Sequence, residues 1–361
     1  MLVSSTINNC LSFYLGVSPM SVARLIKSLP KYELNLRFEA AVQRETILTI
    51  ADENGIPDQI RRFDSIIELY RNPESKRFGD LINYIASWIK FEDNLARAVY
   101  DMGVLLSKDN VRYAEVSINP LLYVNNDFTY EDFLKALNDG TDRVERAWGV
   151  EIKWVMAISR GEPRRADEIA RWSTSATARN HKVIGIELDP FGKNELSEFK
   201  RPFNNAVQKN LSRRVYVHKA GDFEQALEQL VPTNVIDGWD TTMLPEHFAL
   251  LAERHICLST SPSRALAYNR IRSKKNFSLE HIQTYTNNSI VSTCFPVFLD
   301  TDLSNELLTL HELGLSLESI GQLLLNAVKY AQVSEAEREM RTEIIRQEIA
   351  ILFDDFYATG Q

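Results

Sequence analysis

The stretch LPKYELNLRFEAAVQRETI, residues 29–47, decides how the rest of the chain is interpreted. Within it, ELNLRF (33–38) alternates polar and apolar residues, and a helical pattern follows over 42–54. Alternation with a period of two predicts a β-strand. Asn35 and Arg37 are two residues apart, so they share one face of this strand and are expected to point into the fold.

Short apolar runs alternate with longer helical patterns along the remaining chain, which is typical of strand–helix units around a parallel sheet. Eight such runs predict a closed (β/α)8 TIM barrel with extra helices after the first strand and at the C-terminus. The strands are predicted at 33–38, 111–118, 152–158, 183–188, 214–218, 234–236, 255–259 and 296–299. The helices are predicted at 42–54, 86–105, 130–147, 163–179, 195–210, 222–230, 245–253, 304–313, 317–331 and 333–356. Residues 1–28 are expected to form a helical extension before a barrel spanning 29–361.

Composition limits the classes of partner. The 361 residues carry a formal net charge of −8, with 44% hydrophobic and 25% charged residues, as in a globular protein with a full core. An acidic chain is poorly suited to bind nucleic acid, which requires a basic surface. Three widely spaced cysteines and the lack of a long apolar run predict a cytoplasmic protein that does not bind membranes. Either a homo-oligomer or a hetero-oligomer is compatible with the sequence.

Several motifs resemble the adenosine deaminase family of the amidohydrolase superfamily, from about Leu29 to Glu337. The opening stretch resembles the family's LPKxELHxHLxGxxxxETL, and FLDTDLSNEL (298–307) resembles its LNTDDPxxF. The other matching segments, in family order, are YAEVSINPLLY (113–123), KVIGIELDPFGKNE (182–195), VYVHKAGDFEQALEQL (215–230), VIDGWD (235–240), LSTSPSRAL (258–266) and LLNAVKYAQVSEAERE (324–339). The resemblance implies a barrel with its reactive residues at the C-terminal ends of the strands.

The resemblance also implies a catalytic zinc ion, held by two histidines of strand one, one histidine of strand five and one aspartate of strand eight. The corresponding residues of this chain are Asn35, Arg37, His218 and Asp302. Asn35 is a poor ligand and Arg37 cannot coordinate a metal. We therefore expect no cofactor, and an ion pair between Arg37 and Asp302 in place of the metal. The alternative is a rebuilt manganese or iron site on His218, Asp302, Asp237 and Asp222.

The acid–base residues that the resemblance implies have changed as well. The family's HAGE glutamate stands three residues after its histidine, which gives Gly221 here, although an insertion at Lys219 would place Asp222 there. Asp237 replaces the histidine that activates water, and Leu303 replaces an aspartate that contacts the purine. The catalytic candidates are therefore His218, Asp222, Asp237 and Asp302.

Further residues are candidates for binding a ligand. Arg160 follows the third predicted strand and could hold an anionic group, and Glu187 stands where the family has an aspartate on the substrate side. Ser263 ends the hydroxyl-rich STSPS (259–263) after the seventh strand. With Asn35, Arg37 and Leu303, these complete the expected binding set.

Three functions remain open. The first is a deaminase-like barrel that has lost zinc-dependent deamination and binds or transforms a nucleoside-like small molecule, possibly a purine nucleoside, without metal. The second is an active metal-dependent amidohydrolase that hydrolyses C–N bonds at a rebuilt site. The third is a non-catalytic subunit of a hetero-oligomer.

Overall fold

The computed structural model describes residues 20–125, 127–217, 220–236, 245–269 and 288–358. Its centre is a sheet of eight parallel strands in the order β1 to β8. The strands are β1 (Lys31–Arg37), β2 (Val111–Ile118), β3 (Glu151–Ile158), β4 (Val183–Leu188), β5 (Ser212–Tyr216), β6 (Asn234–Ile236), β7 (Cys257–Thr260) and β8 (Ser289–Val291).

The sheet closes on itself just beyond β8. Cys294 forms a parallel bridge with Leu36. Its backbone N–H donates to Asn35 O at 3.1 Å, and its carbonyl accepts from the backbone N–H of Arg37 at 2.9 Å. The structure is therefore a (β/α)8 barrel, as the sequence predicted, and the residues after β8 take part in closing it.

Helices surround the barrel. They are α1 (Val22–Ser28), α2 (Arg44–Glu53), α3 (Ile56–Gln59), α4 (Phe63–Arg71), α5 (Phe78–Trp88), α6 (Glu92–Lys108), α7 (Tyr130–Trp148), α8 (Ala166–Ser173), α9 (Ala176–Asn180), α10 (Lys200–Gln208), α11 (Ala220–Gln229), α12 (Pro245–Glu253), α13 (Pro262–Ala267), α14 (Pro296–Leu299), α15 (Leu303–Glu312), α16 (Leu317–Tyr330) and α17 (Glu335–Ala358). Five of them, α2 to α6, separate β1 from β2, which confirms the extra helices predicted there. Residues 1–19 of the predicted extension lie outside the described residues.

The first seven predicted strands are confirmed to within about two residues, but the eighth is wrong. PVFL (296–299) forms the short helix α14, with Pro296 in its first turn, where a missing backbone N–H costs nothing. The strand is Ser289–Val291 instead. A run of three residues shows no periodicity, so the sequence pattern did not reveal it.

The barrel interior is unusually polar. TIM barrels are usually filled by branched apolar side chains. Here Glu33, Asn35 and Arg37 of β1, at most 2% exposed, alternate along the strand. Glu115 of β2 and Arg214 of β5, each 1% exposed, form an ion pair across the barrel. Such groups are stable in a core only when each finds a partner, so the fold depends on these pairings.

The described residues contain no helix with the length and apolarity needed to cross a membrane.

Candidate functional site

The carboxyl end of β1 places Arg37 at the mouth of the barrel, which here means the end where the strands finish. Its Nε donates to Glu39 at 2.5 Å, and the hydroxyl of Tyr123 donates to the other oxygen of Glu39 at 2.7 Å. All three side chains are at most 3% exposed. Burial lowers the pKa of Arg37, but Glu39, Asp189 and Glu187 raise it by more. Arg37 is therefore a fixed, permanently charged donor.

One donor of this guanidinium is open. Nη1 of Arg37 is buried, and no described residue accepts a hydrogen bond from it. A buried donor without an acceptor costs about 1–3 kcal/mol. The mouth of the barrel therefore favours a ligand that brings an acceptor to Arg37.

Two carboxyl groups at the end of β4 face Arg37. Burial raises the pKa of Glu187 to about 7, although Arg37 and Ser117 act to lower it. Burial likewise raises the pKa of Asp189 to about 6, against the effect of Arg37. Asp189 Oδ1 accepts from the backbone N–H groups of Arg160 and Phe191, each at 3.0 Å. Within the described residues nothing donates to Oδ2 of Asp189, so this oxygen is open to a ligand.

A cavity of about 430 Å³ opens at the mouth. Residues that follow several different strands line it: Arg37, Asn119, Ser159, Asp189, Phe191 and Tyr268. Its volume lies in the range of small-molecule sites, and it combines aromatic walls with a few polar groups. This cavity is the candidate binding site.

Arg160 and Asp222 form a buried ion pair beside the cavity. Nη1 and Nη2 of Arg160 donate to the two oxygens of Asp222 at 2.9 and 3.2 Å, and Nε donates to Asn194 O at 2.8 Å. The pair joins the loop after β3 to the first turn of α11. Two bonds from a guanidinium stabilise the ionised form of Asp222, so the carboxylate is poorly placed to act as the predicted acid–base residue. Arg160 is likewise engaged by the protein rather than free for an anionic ligand.

The centre of the mouth holds a residue that the sequence analysis missed. The guanidinium of Arg264, on α13, lies 4.8 Å from the ring centre of Tyr216, 4.5 Å from Tyr268 and 5.6 Å from Phe295. Arg264 is fully buried. Its cation–π contacts fill the space between β5, β7 and β8, and Tyr268 connects them to the cavity wall.

Comparison with known proteins identifies the fold family. The family model described as adenosine deaminase matches residues 30–347. The chain belongs to the adenosine deaminase family. An aminodeoxyfutalosine deaminase from Acidothermus cellulolyticus is 23% identical and aligns over 80% of this chain and 84% of its own length.

Two solved structures of this family's fold are similar. An amidohydrolase from Burkholderia ambifaria, described with bound zinc, has a TM-score of 0.83 at 22% identity and covers 95% of this chain and 97% of its own. Arabidopsis ADAL complexed with IMP has a TM-score of 0.78 at 19% identity and covers 90% of this chain and 98% of its own. The chain therefore has the adenosine deaminase-like amidohydrolase fold over most of its length.

The family assignment changes how strand eight is matched. Since β8 ends at Val291, the segment at its carboxyl end is Thr293-Cys294-Phe295-Pro296, which has the spacing of the family's TDDP. The ligand aspartate then corresponds to Cys294, and the purine-contacting aspartate corresponds to Phe295. The earlier match at 298–307 was wrong because it rested on the misplaced strand.

Asp302 accordingly lies away from Arg37. It is the N-cap of α15, and its Oδ1 accepts from the backbone N–H of Asn305 at 2.7 Å. Its other oxygen is 3.7 Å from Lys27 Nζ, and its side chain is 38% exposed. The predicted Arg37–Asp302 ion pair is wrong, because Arg37 pairs with Glu39 instead.

The remaining predicted residues have structural contacts. Asn35 Nδ2 donates to Ser259 Oγ at 2.8 Å, and Asn35 Oδ1 accepts from Asn234 at 3.3 Å. The backbone N–H of Ser263 donates to Glu306 at 3.1 Å. Leu303 is 3% exposed and packs in the hydrophobic core beside α1 and α16. His218 and Asp237 lie outside the described residues.

The prediction that no cofactor is needed is contradicted. The chain belongs to a family whose fold neighbour is described with bound zinc, so a metal cofactor is expected for this family. The described residues do not reproduce the zinc set that the resemblance implies, because three of its four positions hold Asn35, Arg37 and Cys294. Within the described ranges, no three His, Cys, Asp or Glu side chains are grouped to hold a metal ion.

Proposed function

We propose that the mouth cavity binds a purine-nucleoside-like small molecule through the edge of its base. The observation that carries this proposal is the pairing of an open donor on Arg37 with an open acceptor on Asp189, both lining one cavity. Heterocyclic bases present an acceptor beside a donor along one edge, and such an edge matches a guanidinium next to a carboxylate.

The cavity walls support a planar ligand. Phe191 and Tyr268 both line the cavity, and aromatic side chains stack on the faces of bases. The ionised Arg37 lies among Glu39, Asp189 and Glu187, so a neutral base is favoured there over a second anion. The IMP complex of Arabidopsis ADAL supports a nucleoside-type ligand for this fold.

Titration calorimetry with inosine, guanosine and adenosine tests the proposal on the full chain. Asp189→Asn keeps an acceptor for the two backbone N–H groups but places an amide donor where Oδ2 is open. We expect the Kd of the tightest nucleoside to rise at least tenfold, which corresponds to about 1.4 kcal/mol. The exposed Asp139→Asn is the matched control and should leave the Kd unchanged. Failure of all three nucleosides to bind would refute the proposal.

A second candidate function is metal-dependent deamination at a site that uses Cys294. Cys294 is 1% exposed and follows β8 at the position matched to the family's aspartate ligand. Cysteine thiolate is a strong zinc ligand. Elemental analysis of the chain and of Cys294→Ser, with an assay of ammonia release from the same nucleosides, tests this candidate. About one metal per chain that is lost in the variant, together with ammonia release, would favour it. A full metal content in the variant would exclude Cys294 as a ligand.

A further inference from the structure

The C-terminal helix α17 is apolar on two sides. Ile345, Ile349 and Phe356 are at most 6% exposed and face the barrel. Met340, Ile344 and Ile351 are 57%, 46% and 60% exposed. At 100° per residue, these three fall within an arc of about 40°, roughly opposite to the buried side. We call them the outer stripe.

The outer stripe is the largest concentration of exposed apolar side chains in the described part of the chain. Eight large hydrophobic residues are exposed there, and α17 carries four of them, namely the outer stripe and Tyr357. The other four, Phe91, Trp148, Val207 and Val231, are scattered over separate segments. Scattered exposed residues are normal, whereas an aligned row on one helix marks an interaction surface.

The charges beside the outer stripe have one sign. Within about a quarter turn on either side, helical geometry places only acidic charged residues. They are Glu337, Glu343, Glu348, Asp354 and Asp355. The arginines of α17 lie further round, and Arg341 pairs with Glu151 on the barrel side at 2.8 Å. A partner that covers the outer stripe therefore meets carboxylates on both edges.

We propose that the outer stripe of α17 docks an amphipathic helix of another protein whose apolar face is flanked by lysine or arginine. A helix laid against a helix face contacts it through apolar residues spaced three and four apart, which matches Met340, Ile344 and Ile351. Basic flanks meet the acidic edges and set the orientation. A second copy of this chain would place like charges on both edges, so self-association through this face is disfavoured.

Two synthetic 18-residue helical peptides test the proposal by fluorescence anisotropy with the full chain. They share one leucine face, and one has lysine flanks while the other has glutamate flanks. The lysine peptide is expected to bind at least tenfold more tightly. The double variant Ile344→Ser/Ile351→Ser should weaken that binding at least tenfold. Phe91→Ser, which removes an equally exposed apolar residue elsewhere, should leave it unchanged.

Equal binding of the two peptides, or full binding to the double variant, would overturn the proposal. Sedimentation equilibrium of the chain and of the double variant supplies a second readout. A dimer that becomes a monomer in the variant would show that a second copy covers the stripe, against the proposal. A melting temperature lowered by several degrees in the variant, with no binding of either peptide to the original chain, would show that other residues of the same chain cover it.

Discussion

The two ends of the barrel use buried carboxylates differently. At the base, the end where the strands begin, Glu115 receives hydrogen bonds from Tyr113 at 2.7 Å, from the backbone N–H of Gln332 at 2.6 Å and from Arg214. At the mouth, both bonds to Asp189 go to Oδ1, and Oδ2 remains open. The carboxylate at the base is saturated and joins the C-terminal helices to the barrel. The one at the mouth keeps binding capacity for a ligand, as expected for the two faces of this fold.

Removing the saturated carboxylate should have the largest effect on stability. Glu115→Leu leaves Arg214 buried without its ion-pair partner, and we expect the free energy of unfolding to fall by about 3–5 kcal/mol. Urea denaturation measures this change. Nucleoside affinity of the folded protein should remain within about twofold of the original, because the base lies away from the mouth cavity.

The double variant Glu115→Leu/Arg214→Met is the control for this prediction. It removes both charges and should recover much of the lost stability, since an apolar pair needs no charge partner. A double variant as unstable as Glu115→Leu alone would show that the ion pair is not what makes Glu115 important.

The carboxyl groups at the mouth should make stability depend on pH. The pKa of Glu187 rises from 4.5 to about 7 on folding because the group is buried. A raised pKa in the folded state means that the folded chain binds the proton more tightly. The resulting stabilisation is present below pH 4.5 and is lost as the pH rises through about 7. Asp189, with a pKa of about 6, acts in the same direction.

Glu187→Gln tests this pH dependence. The neutral amide cannot ionise, so the variant should be more stable than the original chain at pH 8 by about 1–3 kcal/mol. The difference should shrink at pH 5. Urea denaturation at both pH values measures it, with the exposed Glu339→Gln as the control. The same stability difference at pH 5 and pH 8 would contradict a raised pKa for Glu187.

The sequence predicted the scaffold better than the site. Alternation over 33–38 correctly placed Arg37 inside the barrel, and the same period of two extends to Glu39, which its position could have indicated as the partner. Strand eight was misplaced because β8 has only three residues, whereas PVFL is apolar enough to imitate a strand. That one error moved the family's motif from Cys294 to Asp302. Arg264 and Asp189 were missed because their roles arise from contacts between loops of different strands, which no local pattern reports.

Asp302 gives the smallest expected effect and the sharpest check on this reassignment. As the N-cap of α15 it satisfies the backbone N–H of Asn305, and loss of such a cap costs about 1 kcal/mol. Its contact with Lys27 adds little, because that lysine is 54% exposed. Asp302→Ala should therefore lower the free energy of unfolding slightly and leave the Kd for nucleosides unchanged. Asp302→Asn, which keeps a capping oxygen, should recover the stability. If either variant lost nucleoside binding while remaining folded, Asp302 would belong to the mouth after all, and the match of Cys294 to the family's aspartate would be wrong.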